Sequence, residues 1–185
     1  GEFGETRRQP LPYSALPSLF VNAILAAEDD RFFSHGGVDA NGLLRAASEL
    51  AKTGHIQSGG STITMQLARN FFLSTEKSFI RKFNEILLSI QLERSLSKEQ
   101  IFELYANKIY LGHRAYGAQS ASYVYYGKNL DQLSLAQWAM LAGLPKAPSK
   151  YNPLVNPPRA LIRRNWILDR MLKLGFIDQA SHDAA

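Results

Sequence analysis

Residues 16–35 read L-P-S-L-F-V-N-A-I-L-A-A-E-D-D-R-F-F-S-H, a pattern that opens as a helix and closes against the rules for one. Leu16, Leu19, Phe20, Ala23, Ile24 and Ala27 recur at helical steps of three and four, and Pro17 stands near the start, where proline is tolerated. The run then meets Glu28, Asp29 and Asp30. A helix C-terminus carries partial negative charge and disfavours anions, so these acids are out of step with local structure. Such conflicts concentrate at functional sites. Crowding like charges also raises the proton affinity of one carboxylate, which suits a general base working near neutrality.

The same period continues through the chain. Gly36-Gly37 interrupts it, and Asp39 or Asn41 can cap a helix carrying Leu43, Leu44, Ala47, Leu50 and Ala51. A glycine-bearing loop, G-H-I-Q-S-G-G, leads to Ser61 or Thr62 as the next N-cap. Phe79, Phe83, Ile86, Leu87 and Ile90 form an apolar stripe on a long helix that Ser78 could cap. S-K-E-Q at Ser97 and S-L-A-Q at Ser134 place Gln three residues after Ser, the spacing of a capping box. Asn156-Pro157-Pro158 opens a last long helix, and Gly175 is placed to end it. The strand candidates are short, Ile109 to Leu111 and Tyr123 to Tyr126. These signals predict one mainly α-helical domain.

Composition narrows the function classes. With 45% hydrophobic and 20% charged residues, the 185-residue chain is that of an ordinary globular domain. A net charge of +5 and a pI near 9.5 favour an anionic partner. The chain has no cysteine and four histidines, which leaves neither a disulfide framework nor a thiolate metal site. No apolar run approaches the roughly 18 residues of a membrane span. Gly1-Glu2-Phe3 resembles a cloning scar. The expectation is a scar and N-terminal extension over 1–14 and one functional domain over 15–185, excised from a longer, membrane-anchored protein.

Three further stretches carry chemistry. In G-G-S-T-I-T-M-Q-L-A-R-N, Gly59 to Asn70, glycines allow close backbone approach and hydroxyls stand at a helix start, where free N–H groups favour anions. Thr62, Gln66 and Arg69, or Gln66 and Asn70, fall three or four apart on one polar face. In R-K-F-N-E, Arg81 and Lys82 share a face with Glu85, opposite the Phe79/Phe83/Ile90 stripe. The prolines of K-A-P-S-K-Y-N-P, Lys146 to Pro153, fix an extended loop presenting lysines and Ser149. Singly these read as an N-cap, a solvated ion-pair face and a rigid connector. Together they supply a carboxylate base and an anion-handling set, suited to displacing a phosphate-bearing leaving group.

E-D-D-R-F-F-S-H-G-G resembles the E-D-x-x-F-x-x-H-x-G signature of the peptidoglycan glycosyltransferases of family 51, the glycan-polymerising domains of class A penicillin-binding proteins and their monofunctional relatives. G-G-S-T-I-T-M-Q resembles that family's G-x-S-T-x-T-Q-Q, and R-K-F-N-E its R-K-x-x-E. S-K-E-Q-I-F-E-L-Y-A-N-K-I-Y-L-G, K-A-P-S-K-Y-N-P and Arg163-Arg164 are similar to its later motifs. Met65 stands where the family usually has glutamine, and Phe102 and Ala106 where it has aliphatics.

The resemblance implies a lysozyme-like, two-lobed helical fold with a central cleft, and an inverting polymerisation of lipid II with loss of undecaprenyl pyrophosphate. Glu28 would be the general base and Asp29 its support. Arg69, Arg81 and Lys82 would stabilise the departing pyrophosphate. Ser61, Thr62, Gln66 and Asn70 would hold donor phosphate or sugar, Lys146 and Ser149 would line the donor side, and Phe32 and His35 would shape the cleft. Glu85, also assigned to catalysis, would position Lys82 or share a divalent cation such as Mg or Mn at the pyrophosphate; no other cofactor is expected. The expected partners are lipid II, the growing lipid-linked glycan, the membrane surface and cell-wall synthesis proteins, with no nucleic acid. The expected location is the outer, periplasmic face of the cytoplasmic membrane. Phe71-Phe72-Leu73 and Tyr116, Tyr123, Tyr125 and Tyr126 are candidates for the membrane contact. The rival readings are a lysozyme-like hydrolase or lytic transglycosylase, which protonates a sugar leaving group without a phosphate cluster, and a basic module binding membrane or nucleic acid.

Overall fold

The computed structural model describes residues 10–54, 60–72 and 79–185. Its helices are α1 (Ser18–Glu28), α2 (Ala40–Thr53), α3 (Ile63–Phe72), α4 (Phe79–Ser95), α5 (Lys98–Lys108), α6 (Ala118–Tyr126), α7 (Leu135–Ala142), α8 (Pro157–Lys173) and α9 (Gln179–Ala184). Among the described residues the sole β pairing is an isolated antiparallel bridge between Tyr110 and Tyr116. The chain divides into two compact units, Gly1–Ala27 with Ala106–Ala185, and Glu28–Tyr105.

Caps set most boundaries. Ser97 and Gln100 exchange backbone-to-side-chain hydrogen bonds at 2.8 and 3.1 Å, and Ser134 and Gln137 do the same at the start of α7, so both expected capping boxes form. After α8, Gly175 takes a left-handed φ of 78°. Phe176 N–H donates to Met171 C=O and Gly175 N–H to Leu172 C=O, the pairing that satisfies the last carbonyls of a helix.

In the first unit, Phe20, Ala23 and Ile24 of α1 are buried, as are Leu141 of α7 and Ile167, Leu168 and Met171 of α8. Tyr123 to Tyr126, expected as a strand, is the last turn of α6. Aromatic content suggests a strand there, but Ala118, Ala121 and Ser122 supply a buried face at helical spacing. Gly127 closes the helix in the left-handed region, its N–H on Tyr123 C=O. Ile109 to Leu111 reaches only the single bridge. The chain turns back through Gly112, His113 and Arg114, all with positive φ.

In the second unit, Phe32, Ile63, Met65, Ala68, Ile101, Phe102 and Tyr105 are buried, and α3 packs on α4. Met65, where the family usually carries glutamine, is a fully buried core residue. Two expected apolar stripes turn outward. Leu43, Leu44 and Leu50 of α2 are exposed, as are Phe83 and Leu87 of α4, while Glu85 and Ser89 are fully buried. Helical periodicity shows that a helix has an apolar face, but not which face meets the interior. On α4 the interior takes the charged face, because the buried carboxylate finds a cation there. The expected cap at Ser78 and most of the glycine loop, including Gly59, lie outside the described residues.

Candidate active site

Glu28 is the last residue of α1, and the acids after it separate at once. Its Oε2 accepts a 3.1 Å hydrogen bond from Gln66 Nε2 on α3. Gln66 Oε1 in turn accepts from the Tyr105 hydroxyl at 3.2 Å. Tyr105 is buried on α5, and its burial, followed by the nearby Glu28 charge, holds the phenol well above its ordinary 10. It therefore keeps its proton and acts as a donor.

Asp29 turns the other way and is buried. Its Oδ2 accepts from His35 Nε2 at 2.6 Å and from the Ile63 backbone N–H at 3.1 Å. It thus satisfies a free amide at the start of α3 from outside the helix. His35 Nδ1 accepts from Gly37 N–H at 3.0 Å, so the ring proton belongs on Nε2, facing Asp29. Lys98 lies 3.4 Å from the same Nδ1, 2.7 Å from Glu93 Oε1 and 4.4 Å from the centroid of Phe32. Glu93 also accepts from Thr64 at 2.8 Å. Phe32 is fully buried and packs edge-on against Phe102, Phe33 and His35. The loop from Asp29 to Gly37 is therefore bolted to the start of α3.

Of the two expected caps, Thr62 takes the position. Its hydroxyl donates to Gly37 C=O at 2.6 Å and accepts from Met65 N–H at 3.1 Å. Thr62 is buried and spent on the fold. Ser61 has a different partner, accepting from Lys82 Nζ at 3.0 Å. The same ammonium lies 3.2 Å from Glu85 Oε1. Glu85 is fully enclosed while the Lys82 side chain remains 42% exposed, so a buried carboxylate holds a cation that still reaches solvent. Glu85 Oε2 is buried without a hydrogen-bond partner among the described residues. Arg69 and Arg81 are half-buried on α3 and α4, and Asn70 is exposed.

The structure thus brings Glu28, Gln66, Ser61, Lys82 and Glu85 onto one scaffold, with α3 and the residues just before it as the shared element. It gives Asp29, His35, Thr62 and Phe32 internal partners that frame that scaffold. Gln66 has both amide atoms engaged, on Glu28 and Tyr105. Lys146 and Ser149 belong to the other unit, both exposed, in the turn after Leu144. Among the described residues no three His, Asp or Glu side chains come together as metal ligands. The residue that sequence reading missed is Tyr105. Its spacing with Ile101 and Phe102 marks it as core, and the signal was its hydroxyl, since a buried tyrosine needs a partner.

The helical frame presents a carboxylate at a helix end and an ammonium between a carboxylate and a serine, a pairing of base and cation that suits group transfer. The sequence matches the family described as Transglycosylase over residues 1–172. It is 64% identical over 184 residues to penicillin-binding protein 1A of Pseudomonas aeruginosa, covering 100% of this chain and 22% of that protein. Penicillin-binding protein 1A of Neisseria gonorrhoeae is 54% identical over 185 residues (100% and 23%), and that of Escherichia coli K12 is 52% identical over 182 (98% and 21%). The crystal structure of penicillin-binding protein 1A from Haemophilus influenzae superposes with a TM-score of 0.55 at 29% identity, over 96% of this chain and 17% of that one. The chain belongs to the transglycosylase family and is a peptidoglycan glycosyltransferase domain. It spans about a fifth of the length of the relatives it matches.

Proposed function

We propose that the domain polymerises lipid II into β-1,4-linked glycan with inversion, releasing undecaprenyl pyrophosphate. Glu28 takes the proton from the acceptor 4-hydroxyl as the oxygen attacks the donor's anomeric carbon. The new glycosidic bond forms while the bond from that carbon to the pyrophosphate oxygen breaks, and the leaving group departs with the electron pair. A carboxylate receiving a hydrogen bond from an amide N–H is favoured in its ionised form, the form a base needs. Lys82, with Arg81 and Arg69, meets the charge that develops on the pyrophosphate. A preorganised cation does this at little reorganisation cost in the transition state. Glu85 aims Lys82 while Ser61 holds it from the other side. The chain's own cations answer the leaving-group charge.

The observation that carries this reading is the double use of α3 and the segment that leads into it. Gln66 on that helix holds the proposed base, and Ser61 just before it holds the proposed cation. The substrates are lipid-linked, so the working location is the outer face of the cytoplasmic membrane, with the membrane surface and cell-wall synthesis proteins as neighbours.

The test is a lipid II polymerisation assay on wild type and Glu28→Gln, with thermal melting to confirm the fold. Loss of the base should lower the rate by roughly 10²–10⁴-fold without shifting the melt. A Glu28→Gln variant polymerising at the wild-type rate removes the base assignment. Cleavage of preformed cell-wall glycan without polymerisation places the domain among the hydrolases instead.

A further inference from the structure

We propose that Tyr105 is a positioning residue for this reaction: its hydroxyl anchors the far end of the Gln66 side-chain amide, so that the N–H bound to Glu28 stays aimed at it. This rests on the reading of Glu28 as the base. An amide has two orientations of nearly equal shape, and only one suits a carboxylate neighbour. Rotated by half a turn, Gln66 would set its own oxygen against Glu28 and lose the bond now 3.1 Å long. Glu28, an acceptor only, selects the N–H end, and Tyr105, 3.2 Å from Gln66 Oε1, tethers the other end of the amide because a protonated phenol donates to that oxygen. Burial and the Glu28 charge keep it protonated.

The surroundings leave little freedom for another arrangement. Gln66 itself is buried, and its backbone N–H closes the first turn of α3 on Thr62 C=O at 3.0 Å. Its neighbour Met65 is fully enclosed in the core, which fixes the rotation of α3 about its axis. Tyr105 has Phe102 beside it on α5, with ring centroids 6.3 Å apart. A phenylalanine is thus already accommodated next door, and the Tyr105 hydroxyl adds to packing a specific bond to the residue that holds the base.

The experiment compares wild type, Glu28→Gln, Tyr105→Phe, Gln66→Ala and the Tyr105→Phe/Gln66→Ala double variant in lipid II polymerisation across pH. Losing one hydrogen bond in the relay to a charged group should lower kcat roughly tenfold in Tyr105→Phe, with KM little changed. An ionised carboxylate that loses its donor binds a proton more readily, so the acid limb of kcat should move to higher pH. The double variant should be no slower than Gln66→Ala, because both changes remove the same relay. Slow hydrogen exchange of the Gln66 side-chain amide, lost in Tyr105→Phe, reads the lock without turnover. The proposal falls if Tyr105→Phe keeps the wild-type acid limb, if the two losses multiply, or if the Gln66 amide exchanges as in wild type. A Glu28→Gln enzyme that stays active would sink the base reading alone, and the exchange measurement would still decide on the lock.

Discussion

Lys82 is bound to oxygens of two kinds, the carboxylate of Glu85 at 3.2 Å and the hydroxyl of Ser61 at 3.0 Å. The pair is lopsided, since Glu85 is fully enclosed and Lys82 is partly in solvent. Removing the cation therefore costs more than the bond it makes, because the carboxylate is left buried without its partner. Lys82→Ala should lose about 1–3 kcal/mol of stability and most of its polymerising activity. Adding Glu85→Gln in the same chain removes the stranded charge. That double variant should regain most of the lost stability, read by chemical denaturation, and none of the activity. If activity returned together with stability, Lys82 would be a structural cation and its proposed contact with pyrophosphate would be mistaken.

At the scale of elements, α6 is bracketed by two glycines with positive φ whose surroundings differ. A Cβ on Gly117 would stand 2.3 Å from the Asn107 carbonyl oxygen, whereas one on Gly127 would meet nothing within 4 Å. Gly117→Ala should therefore destabilise by about 3 kcal/mol or more, since backbone must move. Gly127→Ala should cost only the left-handed strain, about 1–2 kcal/mol. Paired melting curves check the difference, and equal costs would mean that this loop yields. Sequence carried the information for such ends wherever the signal was local. Ser97, Ser134 and Gly175 could be read because a cap is satisfied within a few residues. The outward faces of α2 and α4 could not, because periodicity is blind to which side the rest of the chain occupies. The site divides in the same way. Glu28, Gln66, Lys82 and Glu85 stand out as polar groups at helical spacing or at an ill-suited helix end. The contacts joining Tyr105 to Gln66, and Lys98 to Glu93 and His35, cross elements and leave no local trace.

For the whole molecule, the proposed substrates tie function to a lipid surface, and the fold indicates which residues can meet it. Among the described residues no helix is long and apolar enough to cross a membrane. Of the aromatic residues expected to make it, Tyr123 and Tyr125 commit their hydroxyls to Asn129 and to Leu111 C=O, and Tyr116 lies against Tyr110 with ring centroids 4.9 Å apart. Phe71 is exposed on α3, and Leu73 lies outside the described residues. Large apolar side chains are also exposed on α2 and α4, where Leu44 is 69% exposed, Ile80 74% and Phe83 61%. Bare side chains of this size gain free energy by entering an apolar phase, and the +5 net charge draws the chain to anionic headgroups. The domain should float with anionic vesicles. Leu44→Glu and Phe83→Glu should each weaken that binding roughly tenfold or more, as expected from losing one buried side chain. Activity on a short-chain, water-soluble analogue of the lipid substrate should stay near wild type in both, because both side chains are exposed and neither supplies a hydrogen bond to the Glu28 or Lys82 clusters. Flotation unchanged by both substitutions would move the contact off α2 and α4, leaving the exposed Phe71 and Tyr116 to test next.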